Sequence, residues 1–154
     1  MRLNSTTMKS KIMVVAISLA CAGCNTIGAG GLGLGSSSPL VQLVAEKAQT
    51  HNVPPSLAQA VVKVESNFDP RAHSQGNFGL GQIRCGTARD LGFDGKCKDL
   101  LDPGINLDYS MMYLKQKLEL AEGDWCKAAT MYNNGEDTAR KSSAYCRRVM
   151  RNVD

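Results

Sequence analysis

Glu65 is the residue whose position most needs a chemical explanation. It follows Leu57, Ala58, Val61, Val62 and Val64, a run so apolar that the helix it implies is buried on most sides. A carboxylate in the last turn of such a helix meets two penalties on ionising. The macrodipole puts partial negative charge at the C-terminus, and apolar surroundings withhold solvation from the charged form. Both raise the pKa. A carboxyl group that keeps its proton near neutral pH can serve as a general acid, protonating a leaving group as its bond breaks. The plainer alternative is a helix-end glutamate that reaches water.

Cysteine is the other reactive type in quantity. Cys21 and Cys24 lie near the N-terminus, whereas Cys85, Cys97, Cys126 and Cys146 lie among helical patterns. An even count in an exported chain predicts two disulfides. Of the three pairings possible, the neighbouring one, Cys85 with Cys97 and Cys126 with Cys146, closes short local loops and is preferred. A zinc site is disfavoured, because no C-x-x-C pair occurs and His51 and His73 stand far from ligand spacings. No metal and no cofactor is expected.

Export is read from residues 1–24. Arg2, Lys9 and Lys11 precede an apolar stretch over 12–22, of secretory-signal length and too short to remain as a membrane span. Met8 is an alternative start. Ala22-Gly23-Cys24 partly fits a bacterial lipoprotein site, with Cys21 in place of the usual leucine; simple cleavage near residues 20–23 is the alternative. Residues 25–38, rich in Gly and Ser, read as a flexible linker reaching on the order of 20 Å. One domain is expected over 39–154, in the periplasm, anchored to a membrane if Cys24 is lipidated. The 18 basic and 14 acidic residues give +4. Three of the basic ones fall in the export segment, so the remainder is near neutral. Arg147, Arg148 and Arg151 read as a solvated helix face, and no nucleic-acid partner is expected. A monomer is expected.

Several helices must position Glu65. Ser38-Pro39 reads as an N-cap and first helical residue, followed by Leu40, Val41, Leu43, Val44 and Ala48 on one face, with an end near His51. Val53-Pro54-Pro55 breaks the chain and restarts it as the helix of Glu65, which Asn67-Phe68-Asp69-Pro70 should end, because the residue before proline avoids helical dihedrals. Residues 71–83 read as loop, with at most a small irregular sheet over 78–83. Gly79 and Gly81 there suit either a groove wall or a plain turn. A short helix over 87–91 should close at Gly92. Asp102-Pro103 opens a long helix whose stripe is Ile105, Leu107, Met111, Met112, Leu114, Leu118 and Leu120. Asp124 caps a helix over 125–133, in which Trp125 reads as core. A last helix over 142–153 offers Ala144, Tyr145, Val149 and Val153 for packing. The fold class is mainly α, a compact helical domain with a small irregular β region.

Four ordered motifs combine these pieces: Glu65-Ser66, Gly79-Leu80-Gly81-Gln82-Ile83, Met131-Tyr132-Asn133-Asn134-Gly135, and Tyr145-Cys146-Arg147-Arg148-Val149. In order and spacing the chain resembles the lytic transglycosylase domain family, whose fold is similar to goose-type lysozyme. The resemblance covers residues 53–150. Gly81 replaces the usual Met and Met131 the usual Ala, so a large groove side chain is expected lost and another gained nearby.

The resemblance implies that Glu65 is the general acid, and then the base, in cleaving peptidoglycan glycan strands between N-acetylmuramic acid and N-acetylglucosamine. It implies that Ser66, Ser74 and Gln82 bind the sugar and its acetamido group, that Tyr132 orients Glu65, that Asn133 lines the groove, and that Tyr145 stands across from the acid. Singly, each has a structural alternative: a helix-end bond for Ser66, a turn for Gln82, core aromatics for both tyrosines. No second acid falls in the motifs, and Asp69 reads as a local turn residue. Glycosidases with one acid can use the substrate's own N-acetyl group as nucleophile. The implied product is then a 1,6-anhydromuramyl end. A hydrolytic muramidase of the same fold and a non-cleaving peptidoglycan-binding module are the alternatives.

Overall fold

A computed structural model describes residues 38–135 and 143–153. The export segment, the linker to residue 37 and Cys24 lie outside the described residues. Ser38 caps α1 (Pro39–Thr50), its side chain accepting the Val41 amide at 3.4 Å. Pro54-Pro55 then restart the chain as α2 (Pro55–Ser66). Its stop differs from the sequence expectation: α2 ends on Asn67, whose left-handed backbone (φ 52°) is one that asparagine tolerates, rather than on the restriction before Pro70. Phe68 follows at φ 61°, rare for a bulky residue, and its ring packs on the main core.

Three short strands form an antiparallel meander, β1 (His73–Ser74), β2 (Asn77–Phe78) and β3 (Ile83–Arg84). The sheet starts earlier in the chain than expected, because Gln75 and Gly76 (φ 51° and 79°) make a tight hairpin turn with both central residues at positive φ. α3 (Cys85–Asp90) also begins before its expected start, and a 3₁₀ helix (Cys97–Leu101) not foreseen from sequence follows. α4 (Pro103–Leu120) is capped by Asp102, which accepts the Ile105 amide at 2.9 Å. Asp124 caps α5 (Trp125–Asn134) in the same way, and α6 (Ser143–Met150) completes the fold.

The core is built where these helices meet. Val44, Leu57, Val61, Leu107, Met111, Leu114 and Val149 are wholly inaccessible to solvent. Lys47 and His51 tie α1 to α4 through Asp108, at 2.7 and 3.1 Å. Disulfides join Cys85 to Cys97, linking the start of α3 to the 3₁₀ helix, and Cys126 to Cys146, linking α5 to α6. Each closes a loop of a size for which chain entropy gives about 3 kcal/mol.

α4 departs most from the sequence reading. Ile105 and Leu120, expected on the apolar stripe, are 36% and 50% exposed, while Asn106, Ser110 and Lys117 are buried. Leu107, Met111, Leu114 and Leu118 are buried as expected, so the buried face keeps the middle of the stripe and widens to take in these three polar residues. On α6, Tyr145 and Val149 are buried as expected, but Ala144 is exposed.

Candidate active site

Glu65 ends up half-buried in the last turn of α2, on the wall of a cleft of about 370 Å³. Burial pushes its pKa above the ordinary 4.5, and outweighs the hydrogen bond from Tyr145 and the positive charge of Arg148. The Tyr145 hydroxyl donates to Glu65 Oε1 at 2.5 Å. That bond occupies Oε1 as an acceptor, so the carboxyl proton belongs on Oε2. Tyr145 is itself nearly inaccessible, and burial together with the facing carboxylate drives its own ionisation far above the usual phenol range. It serves as a neutral donor. The Arg148 guanidinium lies 5.5 Å from the Tyr145 ring, close enough for a cation–π contact.

The loop between β2 and β3 is held by one residue that sequence reasoning missed. Asn106 is wholly buried, its Nδ2 donating to the carbonyls of Phe78 and Leu100, each at 2.7 Å. Its Oδ1 accepts the Gly81 amide at 2.8 Å and the Ser110 hydroxyl at 3.3 Å. All four hydrogen-bonding positions of the amide are filled. The loop lies so close to α4 that a Cβ on Gly79 would stand 2.5 Å from Asn106 Nδ2, and one on Gly81 would stand 2.2 Å from Ser110 Oγ. Position 81 thus points into α4 and not into the groove. The groove loses no side chain through Gly81, contrary to the sequence expectation. Met131 likewise adds nothing to the groove, since it is buried in the main core.

The remaining motif residues are dispersed. Tyr132 lines the cleft, but its hydroxyl donates to the Gly81 carbonyl at 2.7 Å. It braces the loop, where the sequence reading had it orienting Glu65, and burial pushes its pKa up. Gln82 lines the cleft with positive φ (46°), and its Nε2 donates to the Ala72 and Gly79 carbonyls at 3.0 and 2.9 Å. With the amide hydrogens so engaged, its side-chain oxygen is the end suited to a sugar donor. Asn133 is exposed on the cleft rim and donates to Asn134 Oδ1 at 2.7 Å. Ser66 donates to the Val62 carbonyl at 3.2 Å, the helix-end bond that was its structural alternative. Ser74 is exposed on β1 and is not among the cleft-lining residues. Asp69 accepts the Arg71 amide at 2.9 Å, as a turn residue does.

Among the described residues, Glu65 is the sole carboxylate that lines the cleft. Asn77, Arg84, Thr87 and Tyr113 line it too, and none was picked out in the sequence. Tyr113 packs on Tyr132 with ring centroids 5.1 Å apart, and the buried Lys117 amine stands 4.7 Å from the Tyr113 ring. The i, i+4 repeat of Tyr113 and Lys117 was a legible signal; the exposed Arg84 carried none.

A helical domain with one half-buried acid beside a three-stranded sheet has the lysozyme-like arrangement. The pattern of the transglycosylase SLT domain matches residues 42–152, and the chain belongs to that family. It is 34% identical over 98 residues to the peptidoglycan transglycosylase gp16 of Escherichia phage T7, covering 61% of this chain and 7% of that protein. It is 29% identical over 117 residues to a transglycosylase of Enterobacteria phage PRD1, covering 73% of this chain and 42% of the relative. The chain thus spans well under two thirds of either relative. In fold it is similar to an inactive variant of the lytic transglycosylase Slt of Pseudomonas aeruginosa, with TM-score 0.65, 22% identity, and 73% and 23% of the two chains covered. The 70 kDa soluble lytic transglycosylase of Escherichia coli gives TM-score 0.59 and 23% identity, over 73% and 19% of the two chains.

Proposed function

We propose that this chain is a peptidoglycan lytic transglycosylase that cuts the β-1,4 bond between N-acetylmuramic acid and N-acetylglucosamine and leaves 1,6-anhydromuramyl ends. The observation that carries the reading is Glu65, a carboxyl group whose burial favours its protonated form, alone of its kind among the described cleft residues. Glu65 gives its proton to the glycosidic oxygen while the muramic N-acetyl oxygen attacks C1 from the other face. The carboxylate so formed accepts the proton of the muramic 6-hydroxyl as that oxygen displaces the acetamide from C1. The acid is regenerated, and no water is consumed. Both nucleophiles belong to the substrate, so proximity supplies much of the acceleration and the protein has mainly to hold the sugar and move one proton.

In this reading Gln82 and Asn133 contact the sugar from the cleft wall, Tyr145 sets the orientation of Glu65, and Tyr132 keeps the Gly81 carbonyl and its loop in place. Ser66 and Ser74 contribute only where a strand extends past the cleft. Residues 1–24 direct export to the periplasm, with Cys24 as the candidate lipid attachment site.

Mass spectrometry of sacculi digested by the purified protein is the deciding experiment. Anhydromuramyl products support the proposal, new reducing ends transfer it to a hydrolytic muramidase, and binding without release leaves a peptidoglycan-binding module. Intact mass of the protein from its native host reports whether Cys24 carries lipid.

A further inference from the structure

The sheet side of the cleft carries a guanidinium that the proposed chemistry does not use. Arg84 is exposed on β3, and its Nε donates to Asn77 Oδ1 on β2 at 3.3 Å; both residues line the cleft that holds Glu65. Strand register explains the placement. Ser74, Asn77 and Arg84 stand directly opposite one another on successive strands, so their side chains leave the same face of the sheet, with strands about 4.8 Å apart. The alternate row is His73, Phe78 and Ile83, and its last two members belong to the smaller apolar cluster. Arg84 makes no ion pair among the described residues.

A guanidinium has a fork of five N–H donors, and holding Nε on Asn77 leaves the two terminal nitrogens for end-on contact. Two parallel N–H bonds from those nitrogens match a planar carboxylate. Hydroxyl and acetamido groups of a neutral glycan gain far less from a charged donor. Carboxylates do occur beside the glycan in peptidoglycan: on the muramic lactyl group once its stem peptide is gone, and on the stem peptide while it remains.

Building on the lytic reading above, we propose that Arg84, held by Asn77, is a specificity-determining residue that binds a carboxylate borne by the muramic acid of the strand. The charge favours anionic strands over neutral ones, and the fork gives a carboxylate two parallel hydrogen bonds that a lysine ammonium, a point charge, does not match. Salt weakens the contact, because Arg84 is exposed.

The test compares three preparations of soluble strands: peptide-bearing, peptide-free with bare lactyl groups, and strands whose carboxylates are capped as methylamides. For Arg84→Ala, KM on carboxylate-bearing strands should rise about two- to fivefold, as for an exposed paired charge, while kcat changes by less than about twofold. Arg84→Lys should fall between, keeping charge without the fork. On capped strands the variants and wild type should coincide. A defect on peptide-free strands assigns the lactyl carboxylate, and one confined to peptide-bearing strands assigns the stem. Equal KM for wild type and Arg84→Ala on capped and uncapped strands would overturn the inference. Calorimetric binding of the same strands to Glu65→Gln and to Glu65→Gln/Arg84→Ala decides it independently of cleavage. If wild type cuts nothing, the lytic reading fails while that binding difference still stands or falls by itself.

Discussion

Tyr145 on α6 donates its hydroxyl to Glu65 Oε1 at 2.5 Å, joining residues 80 positions apart in the chain. The bond favours the ionised carboxyl, opposing the burial that favours the protonated one. Tyr145→Phe removes the donor and keeps the ring, so the pKa of Glu65 rises further. The alkaline limb of the pH–rate profile, where a general acid loses its proton, then moves to higher pH. Misplacement of the carboxyl lowers kcat at the optimum by about ten- to a hundredfold. A pH profile of kcat/KM against soluble strands checks both effects; an unchanged limb would remove Tyr145 from the orientation of the acid.

Glu65→Gln should lower strand cleavage by about a thousandfold or more, within the range a positioned acid contributes. It should also stabilise the fold, with a sign set by linkage. The folded-state pKa of Glu65 lies above its ordinary value, so wild-type stability is fully present below 4.5 and declines as pH rises through the folded pKa. The amide has no such penalty and can still accept from Tyr145. Thermal unfolding should give nearly equal Tm values at about pH 3.5 and a higher Tm for the variant at about pH 8. Equal Tm values at both ends would mean that burial does not shift this carboxyl.

Much of this site was legible in the chain, because the acid and its motif partners announce themselves locally. Glu65 interrupts an apolar run, and Pro39, Pro54-Pro55 and Asp102-Pro103 mark helix starts through fixed dihedrals and missing donors. What stayed hidden depends on contacts distant in sequence. Asn106 looks like a polar interruption in a stripe of Leu and Met, yet it is wholly buried and bonds Phe78, Gly81 and Leu100. Tyr132 and Tyr145 are both aromatic residues in helical motifs, and only packing decides that the first meets a carbonyl and the second the acid. Arg84 gained its place from a two-residue strand whose register no periodicity could reveal.

Gly81 and Ser110 form a size-matched pair. A side chain at position 81 would bring its Cβ to 2.2 Å from Ser110 Oγ and 3.0 Å from the Tyr132 hydroxyl. Gly81→Met, which installs the residue usual in the resembling family, should therefore destabilise by about 1–3 kcal/mol through overpacking. Ser110→Gly should recover part of that loss, so the two substitutions are non-additive. Denaturant unfolding of both single variants and the double variant measures the coupling; strict additivity would show that the loop shifts freely away from α4.

The disulfides differ in what they hold. Cys146 follows Tyr145 and is bonded to Cys126 on α5, so this crosslink fixes the helix that presents the donor to Glu65. Cys85 follows Arg84 and is bonded to Cys97, fixing the end of the sheet wall. Replacing either pair by serine should cost about 3 kcal/mol, the loop-closure value for loops of this size. Their kinetic effects should diverge. Cys126→Ser/Cys146→Ser should lower kcat and move the alkaline limb as Tyr145→Phe does, whereas Cys85→Ser/Cys97→Ser should act chiefly on KM. Kinetics at a temperature where both variants remain folded by circular dichroism make the comparison. Identical kcat and KM losses in the two pairs would show that the crosslinks serve stability alone.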